Sequence, residues 1–399
     1  MSNKVFMNAV LYLSCFFCAI PQLYPQQLEK QIPAVSNNGT GDTVRTALTD
    51  KKKDSYWNRL IHGNIDRTFE KKMDISFIAA PSYTREASFG IGGMASGLYR
   101  IDRSDSILRP SNITLTFNAS LLGFYSVTAI GNNYFKGGKS VLSYDVEFTT
   151  KPLNFWGISY DACKVNPVIG YTRRQIRIDA NCQYKLSGNF YAGGILDFTY
   201  AYVSKIDNLS YLEGQKNNYL MTGLGISIQY DSRDFIPNPR RGVYLMLQQS
   251  IFPKQFSNGD NIYYRISFIA DVYKNVWQGA IIAADFFGQF NPENSPWTLK
   301  EQLGGNQRMR GYYAGRYIDN SIVVGQIELR QHIVQRFGCA GWIGGGTVFP
   351  ALDKFKAKNI LPTCGIGLRY EFKHNVNIRI DYGFGHQTGG FVFNIGEAF

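Results

Sequence analysis

The chain has 399 residues, and its 40 Gly, 26 Tyr and 28 Phe against four His and seven Met favour one large β-structure over two soluble domains. The net charge is +12, but Lys and Arg are scattered singly along alternating segments, and the lone run Lys51-Lys52-Lys53 sits in polar sequence, so no nucleic-acid-binding stripe forms. Past residue 25 no stretch holds the roughly 18 apolar residues of a spanning helix, so a membrane crossing has to be made by strands.

In chain order, Lys4 followed by the apolar run Val5 to Ile20, broken at Asn8, predicts a signal peptide over residues 1–25. Residues 26–72 are polar and aperiodic apart from a weakly amphipathic piece from Trp57 to Phe69. They predict a periplasmic linker too short and too polar to hold a core. At Met73 the texture changes. From there to Phe399 the chain is built of segments of about ten residues with period-two alternation.

In Ile176 to Lys185 the residues Ile176, Ile178, Ala180, Cys182 and Tyr184 oppose Arg177, Asp179, Asn181, Gln183 and Lys185. Leu142 to Thr149 and Asn375 to Gly385 split the same way, one face suited to lipid and one to water. Aromatic residues gather at segment ends (Tyr263, Tyr264, Tyr273, Trp277, Phe286, Phe287), as headgroup girdles require. Tight connections at Ser187-Gly188-Asn189 and Lys274-Asn275 alternate with long ones at 161–168 and 204–218. The predicted fold is all-β: a transmembrane antiparallel β-barrel over residues 73–399, with about 16 strands. Cys163, Cys182, Cys339 and Cys364 match no zinc spacing, Cys182 is expected to face lipid, and neither a disulfide framework nor a metal or cofactor is predicted.

Three stretches stand out. The segment YDSRDFIPNPRRGVYL, from Tyr230 to Leu245, reads as a strand end, a Pro-stiffened turn and a strand start, with Asp231, Arg233 and Asp234 placed for an ion-pair cluster at the rim and Pro239 and Gly242 shaping the turn. The loop GGNQRMRGYYAGRYI carries Gly304, Gly305, Arg310, Gly311 and Tyr312 ahead of the last five strands. A guanidinium folded into a lumen must find carboxylates or carbonyls on the wall. Alternation puts Glu328 on that wall with Gln326 and Arg330. Finally, Phe391, Phe393, Ile395 and Phe399 alternate toward an aromatic ending.

These stretches resemble the BamA/TamA-type outer-membrane protein assembly factors, the bacterial surface antigen barrels, over roughly Met73 to Phe399. The resemblance implies that Arg310-Gly311-Tyr312 tucks into the lumen and that Glu328 is one of two acidic wall partners. The position of the second reads Gly344 in GWIGGGTVF, so loop docking is expected to rest mainly on Glu328, the alternative being that backbone carbonyls or another acid such as Asp381 hold the arginine. It implies that Phe399 acts as a terminal assembly signal. Residues 22–72 show none of the helix-strand alternation of the family's periplasmic transport modules, which points to a barrel-only member.

The resemblance further implies a location in the bacterial outer membrane, contact with its lipid, client polypeptides, and periplasmic or membrane partner proteins. Two functions stay open: insertion or translocation of other polypeptides, and a passive channel or structural barrel with a lumen lined by Arg177, Asp179, Arg265, Asp271, Arg379 and Asp381. Enzyme activity is not predicted, because His62, His332, His374 and His386 stand in no nucleophile motif.

Overall fold

The computed structural model describes residues 68, 72–84, 88–105, 108–236, 238–373 and 376–399. The predicted signal peptide, and all of the predicted linker but Thr68 and Lys72, lie outside the described residues. The strands are β1 (Asp74–Thr84), β2 (Ser88–Tyr99), β3 (Ser111–Ser120), β4 (Tyr125–Tyr134), β5 (Ser140–Phe155), β6 (Ile169–Ser187), β7 (Phe190–Ser204), β8 (Asn218–Asp231) and β9 (Gly242–Phe252). They continue with β10 (Tyr263–Trp277), β11 (Ala280–Phe290), β12 (Glu301–Leu303), β13 (Tyr317–Asp319), β14 (Ser321–Val334), β15 (Phe337–Phe349), β16 (Leu361–Lys373), β17 (Val376–Gly385) and β18 (Thr388–Ile395). A short helix, α1 (Tyr160–Val165), lies between β5 and β6.

Sixteen of these strands form one antiparallel sheet in chain order, the wall of a transmembrane barrel, while β12 and β13 form a separate two-stranded ribbon, so that β11 pairs directly with β14. Among the described residues no helix is long and apolar enough to cross a membrane. The two faces of the wall follow the alternation. Phe117, Leu224, Ile226, Ile343 and Leu368 are exposed on the outer face, whereas Asp197, Asp271, Asp285, Arg379 and Asp381 are buried inside. Cys182 is exposed, and Cys163, Cys182, Cys339 and Cys364 are all free thiols.

Connections at the two ends differ. At the end bearing the C-terminus several turns are two residues long, as at 188–189, 278–279 and 335–336, while the opposite end carries the long connections 156–168, 205–217 and 291–320. Short periplasmic turns and long outer loops are the pattern of outer-membrane barrels, which makes the long-loop end the external one.

Three local expectations are corrected. Lys274 and Asn275 do not form a turn. They continue β10 to Trp277 through a bulge between Asn275 and Trp277, and the chain reverses at Gln278 and Gly279. Tyr263 and Tyr273 turn inward and are buried, leaving Tyr264 and Trp277 on the outer face. The last strand stops at Ile395: Gly396, at φ +83°, redirects the chain, so Phe399 lies off the strand. Its carbonyl oxygen accepts from Arg330 Nη2 at 2.9 Å and its ring faces Tyr273.

Candidate functional site

The connection 291–320 is the element that fills the barrel. Its β12–β13 ribbon forms the neck, and the tip 304–316 reaches the inner wall. Gly304 and Gly305 open the tip with φ near +110° and +121°. The wall meets the tip's backbone carbonyls one after another. Arg379 donates to Asn306 O, Gln326 Nε2 to Gln307 O at 3.4 Å, Thr363 Oγ1 to Arg310 O at 2.7 Å and Thr388 Oγ1 to Gly311 O at 3.0 Å. Tyr312 donates its hydroxyl to Pro362 O at 2.7 Å and accepts from the backbone N–H of His386 at 2.7 Å. Buried carbonyls and hydroxyls are costly without partners, so this pattern fixes the loop's register on four strands at once.

Arg310 is fully buried. Its Nη1 donates to Asp381 Oδ2 at 2.8 Å, and its Nη2 lies 2.7 Å from Glu328 Oε2 in an ion pair not aligned as a hydrogen bond. The guanidinium also stacks over the Trp342 ring, 3.6 Å from the centroid. The expectation that Glu328 is the main anion is therefore corrected. A second wall carboxylate exists, and it stands on β17 instead of at Gly344 on β15. Gly344 has no room for one: a Cβ there would lie 2.6 Å from Gly325 O. On that strand Trp342 meets the arginine.

The pair is the centre of a larger cluster. Glu328 faces Arg310, Arg330 at 2.8 Å and Arg369 at 3.6 Å. Asp381 faces Arg310, Arg369 at 2.5 Å and Arg379 at 2.6 Å. Glu397, brought inward past Gly396, meets Arg369 at 2.9 Å and Arg330 at 3.5 Å. Four guanidiniums and three carboxylates thus share one buried site, where charge-assisted pairs are strong and an unpaired member is costly. Beside it, Arg308 forks onto Asp285 of β11, with contacts of 2.6 and 2.8 Å. Sequence alone placed Arg379 and Asp381 on the inner face and offered Asp381 as the alternative acid for Arg310, but it did not bring Arg369, Trp342 or Glu397 to the site. The periodicity of β16 and β17 carried the inward half of that information.

Gly311 lies against β17 backbone to backbone. It has φ +100°, and a Cβ on it would fall 2.6 Å from the Gly383 carbonyl carbon. Only glycine admits that approach.

Above the tip, the outer loops close over the neck. Ser159 N–H donates to Ile318 O at 2.8 Å, Tyr160 stacks on Tyr317 at 5.1 Å, and Arg316 reaches Cys163 O. Trp297 donates to Lys216 O at 2.8 Å. Below the neck a cavity of about 790 Å³ remains, lined among others by Asp145, Arg177, Asp197, Arg265 and Glu301. Of the residues expected to line a channel, Arg379 and Asp381 hold the loop instead.

At the periplasmic rim, Asp231 and Arg233 pair as expected at 3.0 Å, and Arg109 from the β2–β3 connection joins them at 3.4 Å. Arg233 stacks on Tyr244 at 3.9 Å. Asp234 is spent on the turn: its Oδ1 accepts from the backbone N–H groups of Phe235 and Arg240, both at 2.9 Å. Pro239 is buried. Gly242 has φ +115°, and a Cβ there would strike the Ser232 carbonyl. Gly242→Ala should therefore cost about 1–3 kcal/mol of backbone strain and lower the temperature at which the folded form converts to the unfolded one on gels. An unchanged midpoint would show that the turn relaxes.

The model of the Omp85 superfamily domain matches residues 112–399, which includes the loop, its wall and the rim turn from Asp231 to Gly242. The chain belongs to the Omp85 superfamily. Among solved structures, this Omp85 barrel is similar to BamA from Haemophilus ducreyi lacking POTRA domains 1–3, at TM-score 0.53 and 12% identity, over 82% of this chain and 70% of that one. It is similar also to CdiB from Acinetobacter baumannii, at TM-score 0.53 and 10% identity over 82% of this chain and 60% of that one. CdiB from Escherichia coli gives 0.52 and 11% over 81% and 59%. The Omp85 chain therefore spans about three fifths of the CdiB structures. No curated protein matches the sequence. The protein is a bacterial outer-membrane barrel, and its described residues contain the barrel without a periplasmic transport module.

Proposed function

We propose that this barrel assists the insertion or translocation of other polypeptides at the outer membrane. The observation that carries the reading is the seam. The hydrogen-bonded order of the sheet runs from β1 to β18, and these first and last strands lie alongside one another where the wall meets itself. β18 has eight residues against eleven in β1, contains Gly389 and Gly390, and loses its tail to the lumen at Gly396. Strand edges with unpaired N–H and C=O groups template an incoming strand by β-augmentation. Glycine in the closing strand weakens the competing pairing.

The loop weighs against a passive channel, because it is seated on four strands by buried contacts. Clients and periplasmic or membrane partner proteins belong to the same proposal, as does a role for Phe399 in the barrel's own assembly. Depletion of the protein in its host, followed by a quantitative inventory of outer-membrane and secreted proteins, should show selective loss of a client set. An unchanged inventory, accompanied by lost uptake of a small solute, would overturn the reading in favour of a channel.

A further inference from the structure

The outer wall carries a second concave site, away from the seam and the lumen. β14 and β15 pair through two glycines, Gly325 opposite Gly345, and Phe286 of β11 pairs with Gly325 from the other side. All three face outward, so the wall is thinned to backbone over two strands with an aromatic ledge beside it. The external connection 350–360 folds down over the edge of this depression. Ile360 lies against Gly345, where a Cβ would come within 3.0 Å of its Cγ2, and the Phe355 ring meets the Phe349 ring edge-on at 5.3 Å. Lys354 pairs with Glu293 at 2.8 Å, tying the flap to the neighbouring loop. The result is a groove of about 440 Å³, almost wholly apolar, open to the side of the barrel near its external end.

Such a volume lies in the range of specific ligand sites, and here the surrounding medium offers lipid chains. Charge selects among them. Lys356 and Lys358 are exposed, stand between the groove residues Phe355 and Ile360, and have no ion-pair partner among the described residues. Basic residues beside an apolar membrane slot recognise anionic headgroups.

We propose that the groove binds one acyl chain of a phosphorylated outer-leaflet lipid of the lipid A class, with Lys356 and Lys358 on its phosphate. The lipid wedges the flap against β14 and β15, behind the wall that holds Arg310.

The test uses the full mature protein in nanodiscs of phosphatidylethanolamine doped with lipid A, released into native mass spectrometry. One lipid A should be retained per barrel in preference to phosphatidylethanolamine. Gly325→Leu should abolish retention, since a Cβ there has only the Phe286 ring for a neighbour, at 3.8 Å, and the side chain would fill the groove without clashing with the wall. Lys356→Gln with Lys358→Gln should reduce it on the order of 30-fold, from a factor of about five per lysine near an anionic headgroup. Lys254→Gln, exposed in another external connection, should change nothing. Heat-modified migration on gels checks that each variant is a folded barrel. Equal retention of the two lipids, or full retention by folded Gly325→Leu, would overturn the proposal, as would an equal loss from Lys254→Gln.

Discussion

Glu328→Gln should be the most damaging single substitution in the lumen, and more damaging than Arg310→Gln. The buried cluster contains Arg310, Arg330, Arg369 and Arg379 against Glu328, Asp381 and Glu397, four positive groups against three negative. Neutralising Arg310 leaves three against three, and both its partners keep other guanidiniums: Arg330 and Arg369 for Glu328, Arg369 and Arg379 for Asp381. Neutralising Glu328 leaves four against two and takes a carboxylate from three arginines together. Breaking a buried pair by removing one partner costs about 3–5 kcal/mol, and the larger end is expected where the excess charge grows. The conversion temperature on gels should fall further for Glu328→Gln, and external protease should cut between Asn291 and Asn320.

A native thiol reports the same event. Cys163 is buried under the outer loops, donates to Gly157 O at 3.2 Å, and is pushed up to about 11 by burial. At pH 8 it should resist alkylation in the wild type and react in Glu328→Gln, read peptide by peptide. The double variant should be far from additive, because the two residues share partners. An Arg310→Gln loss as large as that of Glu328→Gln, or simple additivity, would show that the loop is held by its backbone contacts and not by the charge cluster.

The barrel was legible because a wall between lipid and water forces alternation on every strand, and Ile176 to Lys185 shows it residue by residue. Arg310 and Glu328 were legible from a motif plus that parity. What periodicity does not encode is curvature. Asp381 reaches Arg310 only because the wall bends β17 toward a loop 71 residues earlier in the chain. The Gly344 vacancy was read as a lost carboxylate, when the lumen had a different strand supply it. Turn signals misled at Lys274-Asn275, where a bulge absorbs the irregularity and the strand runs on. Asp234 looked like an ion-pair member, but short acidic side chains are as well suited to capping turn N–H groups, and the rim turn uses it so. The inward path of Phe399 follows from one glycine torsion at Gly396, which the alternating aromatics before it concealed.

Gly383→Val should release the loop without touching a charge. A Cβ on Gly383 would fall 2.5 Å from the Arg310 carbonyl carbon and 2.6 Å from the Gly311 nitrogen. The clash is backbone against backbone, so no rotamer relieves it, and overpacking of this kind costs about 1–3 kcal/mol by itself. If the tip lifts to escape, the Thr363 and Thr388 hydroxyls lose Arg310 O and Gly311 O, and each buried group left unsatisfied adds about 1–3 kcal/mol. The cheaper outcome is a barrel that stays folded with its tip undocked, since β16 and β17 keep their full ladder. In planar bilayers Gly383→Val should then conduct in frequent, large openings where the wild type is mostly closed. Gly341→Ala is the matched control: it faces outward on β15, with only Gly365 O at 3.8 Å from a Cβ. Quiet bilayers with folded Gly383→Val would mean that the loop tolerates displacement from β17, and the close approach of Gly311 to Gly383 would not be what keeps the lumen shut.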